Sequence, residues 1–248
     1  MLNRRGFFSG LLACPACAAL ARAAQGPHWE YEGHGGAEKW GDLDDSYKTC
    51  AVGAEQSPID LSGAIKATID PLNLSWKPQA YEIVNNGHTI QAQAKPGSTL
   101  TIGKEVFTLV QFHFHAPSEH AVNGQRTAME VHFVSAAPDG GLAVVGVLMK
   151  PGRTNAAFAA IMQAAPRTEG EKVLDKPIDP RQFLPASRAL FRYQGSLTTP
   201  PCSEVVDWNV YEEPIQVAEA DIKAFQAIFP MNARPLQPRH RRFLLRGA

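Results

Sequence analysis

Neither sign of charge is in surplus: 24 Lys and Arg face 24 Asp and Glu, with no basic run and no aromatic-basic stripe. That balance speaks against a nucleic-acid partner and for a small-molecule substrate. Long apolar runs are also missing. The stretch from Phe7 to Ala21 falls short of the ~20 residues that a membrane-crossing helix needs, so no membrane span is expected. Internal repeats, low-complexity tracts and Gly/Ser linkers are absent too, which points to one site rather than an array. Cysteine is scarce, with four residues at positions 14, 17, 50 and 202.

What is there fits one domain. A chain of 248 residues with 44% hydrophobic content can bury a single large core. Residues 1–23 read as a cleavable export signal: Asn3-Arg4-Arg5-Gly6-Phe7-Phe8-Ser9 precedes a modestly apolar run, and Ala21-Arg22-Ala23 supplies a cleavage signal. The pattern resembles a twin-arginine leader; an ordinary secretory leader is the alternative, and Leu11-Leu12-Ala13-Cys14 only loosely resembles a lipoprotein box. Cleavage after Ala23 removes Arg4, Arg5 and Arg22 and no acid, leaving 21 basic against 24 acidic side chains in residues 24–248. The mature protein is then exported, to the periplasm, where Cys50 and Cys202 can form a disulfide; two buried thiols are the alternative. Cys14 and Cys17 go with the leader.

The chemistry concentrates between Gln111 and Val134. In an extended strand Gln111, His113 and His115 share one face while Phe112 and Phe114 take the other. A turn-rich segment then lets Glu130, His132 and Val134 return on a common face of an antiparallel neighbour. Three neutral imidazoles around a tetrahedral zinc leave a fourth position open, the mark of a catalytic site rather than a structural one. Gln111 and Glu130 can each accept a ligand ring's second N–H and fix its tautomer.

Around this centre the pattern is mainly β. Short alternating runs from Tyr81 to Val134 are broken by Asn85-Asn86-Gly87, Lys95-Pro96-Gly97 and Asn123-Gly124, which favours antiparallel strands. Leu142 to Leu148 is a continuous apolar run, as for a central strand buried on both faces. Helices are expected from Asn155 to Ala165, capped by Thr154, and from Ala218 to Phe229. The aromatic, Gly-rich stretch from Gly26 to Trp40 should wrap irregularly over the core, with Trp29 and Trp40 as packing residues.

These residues resemble the alpha-class carbonic anhydrases over nearly the whole mature chain. The likeness is carried by Gln56-Ser57-Pro58-Ile59-Asp60, Asn85-Asn86-Gly87-His88, Gln111-Phe112-His113-Phe114-His115, Ser118-Glu119-His120, Glu130-Val131-His132 and Gly195-Ser196-Leu197-Thr198-Thr199-Pro200-Pro201. The resemblance implies a twisted, largely antiparallel central sheet of roughly ten strands with a few peripheral helices. It implies zinc on His113, His115 and His132, and reversible hydration of carbon dioxide by attack of zinc-bound hydroxide. Thr198 is then the hydroxyl that orients the nucleophile and passes its proton toward Glu119, and Thr199 helps to orient bicarbonate. Val134, Val144, Leu197, Val206 and Trp208 form an apolar substrate wall, and His88, with an ordinary pKa, is the proton shuttle. Tyr31, Asn86 and Gln91 support a water chain to it, and Asn232 with Arg234 lies in a segment that buttresses a ligand through the backbone. Two departures stand out: glutamine at Gln91, where animal forms more often carry asparagine, and the short Ala116-Pro117-Ser118 loop, which resembles bacterial members.

Of the other histidines, His120 is expected in a buried structural hydrogen bond, His28 packed into the amino-terminal wrap, and His34 and His240 in solvent. A cupin-like metal site is a rival, since His113-x-His115 and Glu119 share its spacing; against it, Phe107 stands where a glycine belongs and His132 follows too soon. A second rival is a carbonic-anhydrase-like binding protein without activity, and a zinc esterase is a smaller variation. Nothing in the chain excludes a homodimer.

Overall fold

A computed structural model of the chain describes residues 27–248. The expected export signal, with Cys14 and Cys17, lies outside the described residues. Fourteen strands follow in chain order: β1 Ile65–Lys66, β2 Leu72–Ser75, β3 Glu82–Asn85, β4 Ile90–Gln93, β5 Thr99–Ile102, β6 Glu105–His115, β7 Ala121–Val122, β8 Gln125–Arg126, β9 Met129–Ala136, β10 Leu142–Pro151, β11 Gly170–Val173, β12 Leu190–Gly195, β13 Val206–Val217 and β14 Leu245–Gly247. Twelve of them build one mixed sheet in the order β1-β14-β12-β13-β10-β9-β6-β4-β3-β11, with β5 pairing β6 and β2, while β7 and β8 form a separate hairpin. Among the described strands, only β10 with β13 and β1 with β14 run parallel. The largely antiparallel sheet expected from the resemblance is therefore observed.

The long strands β6, β9, β10 and β13 occupy the middle, and β9 is buried throughout. One face of the sheet carries the main core, where Phe112, Phe114, Phe133, Val145 and Tyr211 meet Phe158, Ile161, Ile222 and Phe225 from two helices. The opposite face carries His113, His115 and His132, and beside them a second cluster around Val134, Val144 and Trp208. Burial on both faces explains the unbroken apolar run in β10.

Both helices are shorter than the sequence suggested. Residues Ala156–Ala164 form the first, and its cap is Asn155, whose Oδ1 accepts the Phe158 N–H at 3.0 Å, not Thr154. The second spans Glu219–Gln226 and stops three residues before Phe229. At the β7–β8 turn Asn123 and Gly124 both have positive φ (50° and 76°), as a two-residue hairpin of this hand requires.

The amino-terminal wrap is a series of short 3-10 and single α-turns, held by a third cluster of Trp29, Trp40, Tyr47, Cys50 and Cys202. Cys50 and Cys202 are joined as a disulfide across 152 residues. His28 corrects an expectation, since its side chain is 80% exposed, with Nε2 3.3 Å from Glu30 Oε1, rather than packing into the wrap.

Candidate metal centre

The register of β6 against β9 sets His113 directly opposite His132, and His115 lies one pleat further along the same face. Ring centroids are 4.9 Å apart for His113 and His115, 5.4 Å for His113 and His132, and 4.6 Å for His115 and His132. One nitrogen from each ring falls within 4.8 Å of the others. The outer nitrogens face three different groups. Gln111 Oε1 lies 2.8 Å from His113 Nδ1, and the backbone carbonyl of Asn232 lies 2.7 Å from His115 Nδ1. Glu130 Oε1 lies 3.0 Å from His132 Nε2.

Burial pushes the pKa of His113 well down, and the neighbouring His115 and His132 rings push it further. His115 is lowered chiefly by burial as well, with the charge of Glu119 opposing. Neutral rings are what a metal requires of histidine. Glu130 feels burial as an upward push, but His120 and His132 outweigh it and hold the carboxyl well below the usual range.

His115 Nε2 is buried and has no hydrogen-bond partner among the described residues. An orphaned imidazole nitrogen facing two others is costly in a protein interior unless something binds there. The donor set therefore fits a zinc ion. A second grouping, His120 with Glu130 and His132, does not: His120 Nδ1 is 2.8 Å from Glu130 Oε1 and its Nε2 is 2.6 Å from the Tyr193 hydroxyl, so both ring nitrogens are already used. His120 thus sits in the buried hydrogen bonds expected of it.

Glu119 is fully buried behind the triad. Its Oε1 accepts the Arg234 N–H at 2.8 Å, while Oε2 has no hydrogen-bond partner and lies 3.6 Å from His115 Nε2 and 3.8 Å from His132 Nδ1. Arg234 does more than the sequence indicated. Its guanidinium donates to the carbonyls of Ser57 and Cys50 and stands over the Trp40 ring, and burial lowers its pKa to about 10 against the opposing charge of Glu119. Asn232 fixes the neighbourhood through its side chain also, donating to the carbonyls of His88 and Phe114 and accepting the Ala116 N–H.

Thr198 is buried in the turn after β12, and Thr199 accepts the Cys202 N–H through its carbonyl. Val134, Val144, Leu197, Val206 and Trp208 gather in one cluster, where Val144 pairs with Val134 on one side and Trp208 on the other. Gln91 sits opposite His113 on β4. Asn86 Oδ1 accepts the N–H groups of His88 and Thr89 and so shapes the turn that carries His88. The His88 ring stacks on Trp29, with centroids 3.8 Å apart and planes 8° from parallel. Trp29 is more than packing. Tyr31 packs edge-on against Trp29, and burial followed by the charge of Glu119 raises its pKa well above the usual phenol.

The family model for eukaryotic-type carbonic anhydrase matches residues 35–246. The chain belongs to the alpha-class carbonic anhydrases. A carbonic anhydrase of Nostoc sp. is 40% identical over 237 residues, covering 93% of this chain and 90% of its own length. One from Pectobacterium carotovorum is 39% identical over 227 residues, covering 91% of this chain and 93% of its own. Among solved structures, the alpha-carbonic anhydrase of Thermovibrio ammonificans in complex with the inhibitor sulfanilamide matches with a TM-score of 0.87 at 40% identity, over 89% of this chain and 99% of that one. This carbonic anhydrase chain uses residues to which the sequence assigned no role, notably Ser57, Tyr193 and Ser196, all buried and joined to His120 by hydrogen bonds. Ser57 and Ser196 stood inside recognised motifs, which was the available signal; Tyr193 had none.

Proposed function

We propose that the protein is a zinc enzyme that hydrates carbon dioxide reversibly to bicarbonate and a proton. The observation that carries this reading is the convergence of three buried imidazoles, each with its outer nitrogen beside a separate partner, next to an apolar wall. His113 and His115 through Nε2 and His132 through Nδ1 would hold the ion. Zinc, when bound, acidifies water so that a nucleophile exists near neutral pH, a property for which carbonic anhydrase is the standard instance.

The chain's own residues do the rest. Gln111, Asn232 and Glu130 fix the tautomers and aim the rings. Thr198 has one proton, and Glu119 Oε2, unpaired and buried, is the acceptor assigned to it; the Thr198 oxygen is then left with lone pairs for a protonated nucleophile and orients it. Val134, Val144, Leu197, Val206 and Trp208 offer carbon dioxide an apolar surface, and Thr199 offers bicarbonate a polar one. His88, with Tyr31, Asn86 and Gln91 lining its approach, takes the proton outward. The Cys50–Cys202 disulfide supports export to an oxidising compartment, the periplasm in our reading.

Stopped-flow carbon dioxide hydration on the purified mature protein, with metal content measured alongside and His113→Ala as control, tests the assignment. Fast hydration that falls by several orders of magnitude in His113→Ala, together with about one zinc per chain in the wild type, is expected. A fully zinc-loaded wild type without activity would put the binding-protein reading first.

A further inference from the structure

Behind the triad, a set of buried polar groups runs from His132 to the loop carrying Thr198. Glu130 Oε1 faces His132 Nε2 at 3.0 Å and His120 Nδ1 at 2.8 Å, and its Oε2 accepts the backbone N–H of His120 at 2.8 Å. His120 Nε2 lies 2.6 Å from the Tyr193 hydroxyl, which lies 3.0 Å from Ser57 Oγ. Ser57 then binds Ser196 twice: its Oγ accepts the Ser196 N–H at 3.1 Å, and its own N–H donates to Ser196 Oγ at 2.9 Å. Ser196 Oγ donates to the Leu197 carbonyl, one residue short of Thr198.

Every member is buried; Ser57, His120, Glu130 and Ser196 are wholly inaccessible. The Tyr193 hydroxyl holds the middle. With one proton, it donates to one neighbour and accepts from the other, so it fixes the hydrogen positions on both sides.

Two glycines make room for this chain of contacts. A Cβ on Gly146, opposite His132 in β10, would stand 2.9 Å from Glu130 Oε1. A Cβ on Gly195 would stand 2.3 Å from Ser57 Oγ and 2.8 Å from the Tyr193 ring. A side chain at either glycine would press on these polar atoms, and on Val210 or Trp208 beside them, so both ends of the chain of contacts are closely packed.

We infer that Tyr193 and Ser57 are positioning residues that couple the orientation of His132 to the placement of the Thr198 loop. The metal-holding geometry and the loop are set together, through Glu130 and His120 on one side and Ser196 on the other. This rests on the zinc reading of the triad given above.

The test is zinc release to an excess of chelator, measured on holo-protein for the wild type, Tyr193→Phe, Glu130→Gln and the double variant. Tyr193→Phe keeps the ring that stacks on Trp208 and deletes only the hydroxyl. Release is expected to quicken roughly 10-fold in Tyr193→Phe, the low end of what losing an outer partner costs a metal site. In the Glu130→Gln background the same substitution should add less than about 2-fold, because the link is already cut. Equal effects in both backgrounds, or an unchanged rate in Tyr193→Phe, would overturn the coupling. A wild type that holds no zinc would instead overturn the metal reading itself, and the two failures are told apart by metal content before release begins. Ser57→Ala carries the same test if Tyr193→Phe does not fold, and it should lower kcat with little change in KM, as misplacement of the Thr198 loop requires.

Discussion

His88 stands half-buried against the Trp29 indole, and burial pushes its pKa below the ordinary 6.5; the His28 charge adds to this, and Glu169 and Glu30 oppose it. A depressed pKa keeps the ring neutral, and so able to accept a proton, to lower pH than a solvated histidine would. Turnover limited by that transfer should therefore rise through an inflection below 6.5 in dilute buffer. His88→Ala should slow dilute-buffer turnover by up to roughly 100-fold, with imidazole restoring most of it. Unchanged turnover without added buffer would remove His88 from the mechanism. The same residue shows the limit of a motif: its place after Asn86 and Gly87 is readable, whereas its partner Trp29 comes from a segment almost sixty positions away and shifts its titration.

Strand β6 decides where the two-histidine segment points. Its pairing with β9 slips by one residue between Leu109 and Gln111, and this bulge puts Val110 and Gln111 on the same side of the sheet. Without it, His113 would oppose Val131 and the imidazoles would face the aromatic core. The apolar spacing hints at this, since Phe107 and Leu109 are two apart but Leu109 and Phe112 are three apart. On the neighbouring strand, Gly146 gives Glu130 its room. Gly146→Ala is expected to force Glu130 aside, costing about 1–3 kcal/mol of stability as an overpacked core does. It should also weaken zinc binding by roughly 10-fold. Denaturant unfolding and competition against a chelator measure the two effects, and native zinc affinity in a folded Gly146→Ala protein would show that Glu130 does not steady His132.

Across the whole molecule, the disulfide fastens the amino-terminal wrap to the turn that follows Thr198 and Thr199, and Arg234 holds the wrap as well through the Cys50 and Ser57 carbonyls and the Trp40 ring. The bond closes a loop spanning 152 positions, so its removal is expected to cost about 3–5 kcal/mol by restoring freedom to the unfolded chain. Cys50→Ala with Cys202→Ala, compared with the wild type by denaturant midpoint, measures this. Mass analysis of exported protein before and after alkylation checks the premise, and two free thiols would sink it. Trp29 sits in the same cluster, so loosening the wrap should also move the His88 inflection up toward 6.5.

By itself, the sequence determined the local terms. Alternation placed Gln111, His113 and His115 together, a continuous apolar run marked β10 as central, and an asparagine-glycine pair marked the β7–β8 turn, because periodicity and turn chemistry act over a few residues. The helices were legible in existence but not in their ends, since capping by Asn155 depends on which side chain reaches the backbone. Tertiary structure alone decided the linking of Tyr193 and Ser57 to His120, the side-chain contacts of Arg234, the stacking of His88 on Trp29, and the exposure of His28. Those contacts join segments more than fifty residues apart, or depend on which face of a turn meets solvent, and no short-range pattern encodes either; only the closed sheet brings their hydrogen-bond donors and acceptors within reach.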